Sequence, residues 1–180
     1  MHEIVELTDG VVELRQWTTD DASFLLEACR DADIRRFWLR QPVETLDDAT
    51  GMIDTFAASW AGYRTFGTMK KLAFAIADVV SGAPLGLCGV DEWSDDDAVQ
   101  IGYFLASAQR RSGYTTRAVR LLTKWLFDLG ATKVFATTDA LNVASIAVLR
   151  RAGFAYEKTL REFGTHDGEQ YDLAFYTRAR

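Results

Sequence analysis

The segment Gln109-Arg110-Arg111-Ser112-Gly113-Tyr114-Thr115-Thr116-Arg117-Ala118 stands between the end of a strand-like run and the start of the most regular helical pattern in the chain. A loop that opens a helix presents backbone N–H groups without intrahelical partners at the positive end of the helix dipole, which suits a phosphate or pyrophosphate. Gly113 removes the side chain where the backbone must turn sharply or approach a ligand. Arg110, Arg111 and Arg117 carry charge that can pair with phosphate oxygens. The same residues also describe a solvated, arginine-rich helix entry with a turn glycine. The spacing is neither the GxxxxGK(S/T) of a nucleoside triphosphate loop nor the GxGxxG of a dinucleotide fold. Further along, Asn142 is a residue type suited to cap a helix, and Ser145 falls three positions later, where a second capping contact is equally natural.

These residues need a frame, and the sequence periodicity supplies one. Val11 to Arg15 alternates apolar and polar positions, and Thr18 with Asp21 makes a capping-box-like start for a helix through Cys29. A short helical stretch follows around Asp33 to Trp38. Thr45 with Asp48 repeats the capping pattern, and Leu46, Ala49, Ile53, Phe56 and Trp60 fall on one helical stripe. Leu72 to Val80, Pro84 to Trp93 and Ala98 to Leu105 read as an antiparallel meander. From Tyr114 the period becomes helical, with Ala118, Leu122, Trp125 and Leu129 beside Val119 and Leu126, and Gly130 stands where a helix C-terminal glycine belongs. Lys133 to Thr138 is then a strand and Val143 to Arg151 a helix closed by Gly153. Phe154 to Leu160 and Gln170 to Tyr176 are strands around a His166-Asp167-Gly168 turn. The order is mixed α/β.

The chain of 180 residues is 48% hydrophobic and shows no linker, repeat or low-complexity tract, so residues 1–180 are expected to form a single domain. Twenty Lys and Arg against 26 Asp and Glu give a net charge of −6, which argues against a general nucleic-acid binder. No apolar run reaches the length of a membrane-spanning helix, and the first residues, MHEIVELTDG, lack a signal pattern; a cytoplasmic protein is expected. Cys29 and Cys88 are far apart, sit among apolar neighbours and form no metal-ligand spacing, so buried reduced thiols and no metal are expected.

Combined with Ile101-Gly102-Tyr103-Phe104-Leu105, the loop, the Asn142-Val143-Ala144-Ser145 helix start and the Arg151-Ala152-Gly153-Phe154 ending resemble the GNAT acyltransferase superfamily, in its ribosomal-protein N-acetyltransferase-like (RimJ/RimL-type) branch. The resemblance covers essentially the whole chain, since LRQWTTDDA and YDLAFYTR also have counterparts. It implies a GNAT fold: a central, mostly antiparallel sheet of six or seven strands, helices on both faces, and a V-shaped splay between central strands that admits the cofactor. Where the family loop, (Q/R)xxGx(G/A), usually ends in Gly or Ala, this chain has Thr115, and Arg111 occupies a place commonly held by a glycine.

Carried over residue by residue, the resemblance implies that the amides of Arg111, Ser112, Gly113, Tyr114 and Thr115 hold the pyrophosphate of acetyl-CoA or another short-chain acyl-CoA, with Arg110 or Arg111 adding charge. Phe104, Leu105 and Ala106 would supply the strand edge for the pantetheine arm and an N–H for the thioester carbonyl. Asn142 would bond the pantetheine amides. Ser145 would protonate the leaving thiolate; many members use a tyrosine four residues later, but Leu149 stands there, which leaves Ser145 or a nearby tyrosine such as Tyr156. The acceptor must be a neutral amine, which an α-amino group with pKa about 7.7–8.0 becomes more readily than a lysine. Asp91 and Glu92 are candidate bases by their order in the chain, although solvated turn residues would look the same, and His166 is a further candidate in a hairpin turn.

The implied function is an acyl-CoA-dependent N-acyltransferase that moves acetyl to a primary amine, a protein N-terminus or a small cationic amine, by direct attack in a ternary complex. The alternative is a catalytically degenerate acyl-CoA-binding sensor. Either would be a monomer or homodimer. Aromatics at Trp17, Phe37, Trp38 and Trp60 belong to the core or to the acceptor wall, and the Arg35 to Arg40 segment lies where this family frames its acceptor. Residues 107–124 carry five cations and no acid, whereas five carboxylates lie between Asp91 and Asp97. That layout is expected to place an anionic cofactor at one end and a cationic acceptor at the other.

Overall fold

The strands are β1 (Leu7–Thr8), β2 (Val12–Arg15), β3 (Leu72–Asp78), β4 (Pro84–Trp93), β5 (Ala98–Leu105), β6 (Lys133–Asp139), β7 (Ala155–His166) and β8 (Glu169–Ala179). The helices are α1 (Ala22–Cys29), α2 (Ala32–Phe37), α3 (Leu46–Ala61), α4 (Tyr114–Asp128) and α5 (Val143–Arg151). This is a computed structural model; it describes residues 7–38, 42–61, 71–94, 96–166 and 168–180, without the side chains of Ala61 and His166. The expectations placed on Leu39, Arg40, Asp95, Asp167 and the His166 imidazole therefore lie outside the described residues.

All strands join one sheet in the order β1-β2-β3-β4-β5-β6-β8-β7, with β5 and β6 parallel and every other neighbouring pair antiparallel. Among the described residues the sheet is mostly antiparallel, as expected, and has eight strands where six or seven were expected. The additional one, β1, is two residues long, too short to show a period of two, and is set against β2 by an Asp9 carboxylate that accepts from the Val11 and Val12 amides. β7 also runs six residues beyond the expected end at Leu160, because its partner β8 continues the ladder to His166↔Glu169.

Alternation along β3 sets the layering. Leu72, Phe74 and Ile76 enter one buried cluster with Ala118, Leu122 and Leu126 of α4 and Leu149 of α5. Ala73 and Ala75 enter another with Leu25 of α1, Ile34 of α2 and Ala49 and Ile53 of α3. Successive strand residues point to opposite faces, so helices cover the sheet on both. Phe74 is fully buried and meets Trp60 and Trp125 edge to face, at ring separations of 4.8 and 5.6 Å, which joins α3, the sheet and α4. Leu46, expected on the buried stripe of α3, is half exposed because it is the first residue of the helix.

Local chemistry fixes the helix ends. Thr45 and Asp48 cap α3 reciprocally: the Asp48 amide donates to the Thr45 hydroxyl at 3.1 Å and the Thr45 amide to the Asp48 carboxylate at 2.9 Å. Asp21 accepts from the Thr18 amide and from both terminal nitrogens of Arg15, at 2.8 and 2.9 Å. A turn of 3-10 helix over Thr19–Asp21 therefore precedes α1. Gly130, at φ 103°, ends α4, and the Ala131 amide reaches back to the Leu126 carbonyl at 3.0 Å.

Phe74→Ala should destabilise the fold by about 3–5 kcal/mol, read as a lower urea midpoint with an unchanged slope. Burial pushes the Asp21 carboxyl up, but Arg15 and the Thr18 amide outweigh it and hold the pKa below its ordinary value. The stability this contributes is complete above the unfolded-state value and is lost as pH falls through the lowered one. Urea titrations below pH 4 should therefore show a smaller further loss in Asp21→Asn than in the parent.

Candidate active site

Strands β5 and β6 pair only over Ala98↔Lys133, Val99↔Val134 and Gln100↔Phe135. Beyond that point β5 continues to Leu105 against β4 alone, and β6 continues to Asp139 against β8 alone. The two strands thus leave a wedge. The β4 ladder shifts register between Val90 and Glu92, with Glu92 opposite Gln100 and Val90 opposite Ile101, so a bulge at Asp91 lies where β5 leaves β6. Such a bulge increases local twist and bends its strand. Just past the last pair, the Gln100 amide nitrogen donates to the Thr137 hydroxyl at 3.2 Å and spans the crotch.

Backbone groups along an antiparallel strand turn alternately to its two sides. The Ala106 amide donates to the Leu85 carbonyl on the β4 side at 3.0 Å, so Tyr103 and Leu105 turn theirs toward the wedge. Of the edge expected from Phe104 to Ala106, Leu105 presents its backbone to the wedge, while Phe104 and Ala106 are turned to β4.

α4 carries the chain from the end of β5 to the start of β6, which sets its N-terminus at the open end of the wedge. Gly113 precedes the helix at φ 82°, and the first intrahelical bond runs from the Arg117 amide to the Gly113 carbonyl at 3.2 Å. The amides of Tyr114, Thr115 and Thr116 therefore have no intrahelical acceptor. Arg111 is left-handed too, at φ 67°, a conformation that costs a residue bearing a Cβ about 1–2 kcal/mol and favours glycine. Turns of this kind gather amides into a concave, anion-attracting surface. Ser112 donates its hydroxyl to the Gln109 carbonyl and braces the loop. Thr115 and Thr116 line the cleft, whereas Tyr114 packs against the core.

The basic segment is less free than its composition suggests. Arg110 bonds Asp31 and Asp33 at 2.6 and 2.7 Å, so its charge is directed to the start of α2. Burial pushes the Asp31 carboxyl up, but Arg110 and the Ile34 and Asp33 amides outweigh it and hold the pKa below its usual value. Arg117 pairs with Asp9 at 2.7 Å, and Lys124 pairs with Asp128. Arg120 donates to the Arg151 carbonyl. Arg111 has no ion pair among the described residues and lines the cleft, so of the two arginines weighed for this role the geometry favours Arg111.

Asn142 is the N-cap of α5, and its side-chain oxygen accepts from the Ser145 amide at 3.0 Å. Ser145 lines the cleft, and its hydroxyl lies 2.9 Å from the phenol oxygen of Tyr103. Burial pushes that phenol above its ordinary range. Leu149, at the position where the resemblance would allow a tyrosine, is fully buried under α4 and does not face the cleft. Tyr156 does not line the cleft: it is exposed on β7, with its hydroxyl 3.0 Å from that of Thr159.

Asp91 and Glu92 lie within β4, not in the turn that follows, and both line the cleft. A Cβ placed on Gly102 would stand 2.5 Å from an Asp91 carboxylate oxygen. Gly102 shares its face of β5 with Phe104, which packs among the α1 to α3 cluster, whereas Tyr103 faces α5. The Asp91 carboxylate and the Ser145 hydroxyl thus flank the wedge from opposite faces of the sheet. Trp38, edge to face with Phe104 at 4.7 Å, and Phe56 line the cleft on the Asp91 side. Trp60 and Trp17 are core residues. The cleft has a volume of about 1760 Å³ and runs from the α4 loop to these aromatics. Tyr103, Gln100 and Thr137 escaped sequence reasoning; only the alternation of β5 around Phe104 hinted at where Tyr103 would face.

A sheet opened beside one parallel pair, with a glycine-entered helix at the mouth of the opening, defines the class of protein as GNAT. The chain belongs to the GNAT acetyltransferase family: the family model described as an acetyltransferase (GNAT) domain matches residues 12–155. It is an N-acetyltransferase. It is 26% identical over 179 residues to the uncharacterized N-acetyltransferase YoaA of Bacillus subtilis strain 168, covering 98% of this chain and 97% of that one. The fold is similar to that of RimL, a ribosomal alpha-N-protein acetyltransferase solved in complex with coenzyme A (TM-score 0.82, 20% identity, 98% of each chain). It is likewise similar to a ribosomal-protein-alanine acetyltransferase from Vibrio fischeri (TM-score 0.81, 16% identity, 97% of this chain and 96% of that one).

Two substitutions separate charge from conformation in the loop. Arg111→Gly should leave stability within about 1 kcal/mol of the parent, because relieved strain offsets the gain in unfolded-state freedom. It should also weaken coenzyme A binding and flatten its salt dependence in calorimetric titrations. Arg110→Ala should instead lower thermal stability and leave that salt dependence close to the parent's.

Proposed function

We propose that the protein transfers an acetyl group from acetyl-CoA to a primary amine by direct attack in a ternary complex. The observation that carries this reading is the wedge between β5 and β6, with the Ser145 hydroxyl on one face and the Asp91 carboxylate on the other. The loop fits the coenzyme: left-handed Arg111 and Gly113 shape an amide-lined concavity, and the Arg111 guanidinium adds charge for a pyrophosphate. The coenzyme supplies an activated thioester, and the chain supplies position and proton transfer. Tyr103 and Leu105 offer backbone groups to a strand-like pantetheine arm, and an N–H there is suited to polarise the thioester oxygen. Asn142, beyond its capping bond, lines the same cleft and would bond the pantetheine amides.

Asp91, directly or through water, accepts the proton that the acceptor amine must shed, and Glu92 adds negative charge to the same wall. Ser145 gives a proton to the sulfur as it departs. The acceptor we infer is cationic before it reacts, a protein N-terminus or a small amine, because Asp33, Asp91 and Glu92 line the cleft on the side away from Ser145. Two buried free cysteines suit the reducing cytoplasm, where we place the activity.

Incubation of the full chain with acetyl-CoA and a panel of amines, including peptides with free α-amines and small polyamines, tests the reading by release of free thiol. Ser145→Ala and Asp91→Asn should each lower kcat by about 100-fold, and Asp91→Asn should do so with little change in coenzyme A affinity. Failure to bind coenzyme A would sink the proposal. Tight binding without turnover of any amine would show a non-catalytic acyl-CoA sensor instead.

A further inference from the structure

Tyr103 reaches Ser145 from a different element, β5, and meets it twice. Its phenol oxygen stands 2.9 Å from Ser145 Oγ and 3.3 Å from the Ser145 carbonyl oxygen. A phenol has a single proton to donate, whereas a serine hydroxyl can donate one and accept two. When the phenol proton goes to the carbonyl oxygen, Ser145 is left to donate back to the phenol, and its own proton is turned away from the cleft. When it goes to Oγ, at the shorter distance, the serine proton is released from Tyr103 and can point into the cleft that Ser145 lines. Burial, with Cys88 adjacent, keeps the phenol protonated through the working pH range. Tyr103 therefore serves as a donor and not as a base.

We propose that Tyr103 is a positioning residue: its O–H, donated to Ser145 Oγ, aims the serine proton at the sulfur of the departing thiol. The proposal rests on the reading of Ser145 given above. In the step served, the amine nitrogen bonds to the acyl carbon and the carbon–sulfur bond breaks with its electron pair left on sulfur. The sulfur takes the proton from Ser145 Oγ. The surplus proton on nitrogen leaves by way of Asp91 to water, and a proton from water restores Oγ. Tyr103 gains and loses none.

The test compares the full-length parent with Tyr103→Phe, Ser145→Ala and the double variant, using coenzyme A and desulfo-coenzyme A as binding probes. The parent should bind coenzyme A about fivefold more tightly than its desulfo analogue, the worth of one directed hydrogen bond. Both single variants should lose that preference while binding the desulfo analogue as the parent does. In turnover, Tyr103→Phe should lower kcat about tenfold with KM for acetyl-CoA within about twofold, and should cost nothing further in the Ser145→Ala background. A parent without thiol preference, a preference that survives Tyr103→Phe, losses that multiply in the double variant, or an equal loss of affinity for both probes would each overturn the proposal. If the parent acetylates no amine, the acetyl-transfer reading fails by itself, and the thiol preference still decides whether Tyr103 directs the hydroxyl.

Discussion

The separation of β5 from β6 after Gln100 and Phe135 is the constraint on which the rest of the structure depends. Backbone groups inside a sheet are ordinarily paired, and leaving them without partners is costly unless water or a ligand reaches them. The chain turns the backbone groups of Tyr103 and Leu105 toward one concave place, where Arg110 Nε reaches the Leu105 carbonyl at 3.4 Å. The bulge at Asp91 directs β5 away, the Gln100 to Thr137 bond holds the point of divergence, and both hydrophobic clusters back the two diverging strands. A helix that must cross from β5 to β6 then begins at the gap, so amides lacking intrahelical partners and the opened strand edge are brought together by connectivity. No separate device is needed to align them.

Charge follows the same economy. A net charge of −6 does not prevent the proposed anion site, because that site draws on backbone amides and on the Arg111 guanidinium, which has no ion pair among the described residues, while Arg110 and Arg117 are paired with acids from distant segments. Most of the positive charge near the loop is therefore structural. Arg110 and Arg117 tie the loop and α4 to α2 and to the β1–β2 turn, and so stiffen the loop. Arg111, held left-handed where glycine would be relaxed, couples charge to a strained backbone at one residue.

Features written in local pattern were legible in the sequence: the capping pair Thr45 and Asp48, Gly113 and Gly130 bounding α4, Asn142 as a cap, and the alternation of the central strands. Their interactions span a few residues, so spacing and residue type suffice to find them. What was not legible depends on segments distant in the chain. The acids that claim Arg110 lie almost 80 residues away, and Tyr103 is 42 residues from the serine it meets. Asp91 was legible as a candidate base at the end of its strand, but the face it takes was not, because a bulge leaves no periodic trace. β1 is too short to alternate, and the length of β7 is set by its partner rather than by its own residues. Tyr156 was singled out for its chemistry and its nearness in sequence, and a strand at the edge of the sheet carries it out to solvent.

Asp31 serves two masters: one carboxylate oxygen caps α2 through the Asp33 and Ile34 amides, and the same oxygen receives Arg110 from the loop beside α4. The start of α2 and the loop that opens α4 therefore share one atom. Sequence drift on either side is then not independent. A lineage that reshapes the start of α2 while losing Asp31 also releases the guanidinium that braces the opposite loop, so under the proposed function a change of specificity and a retuning of cofactor affinity would be inherited together.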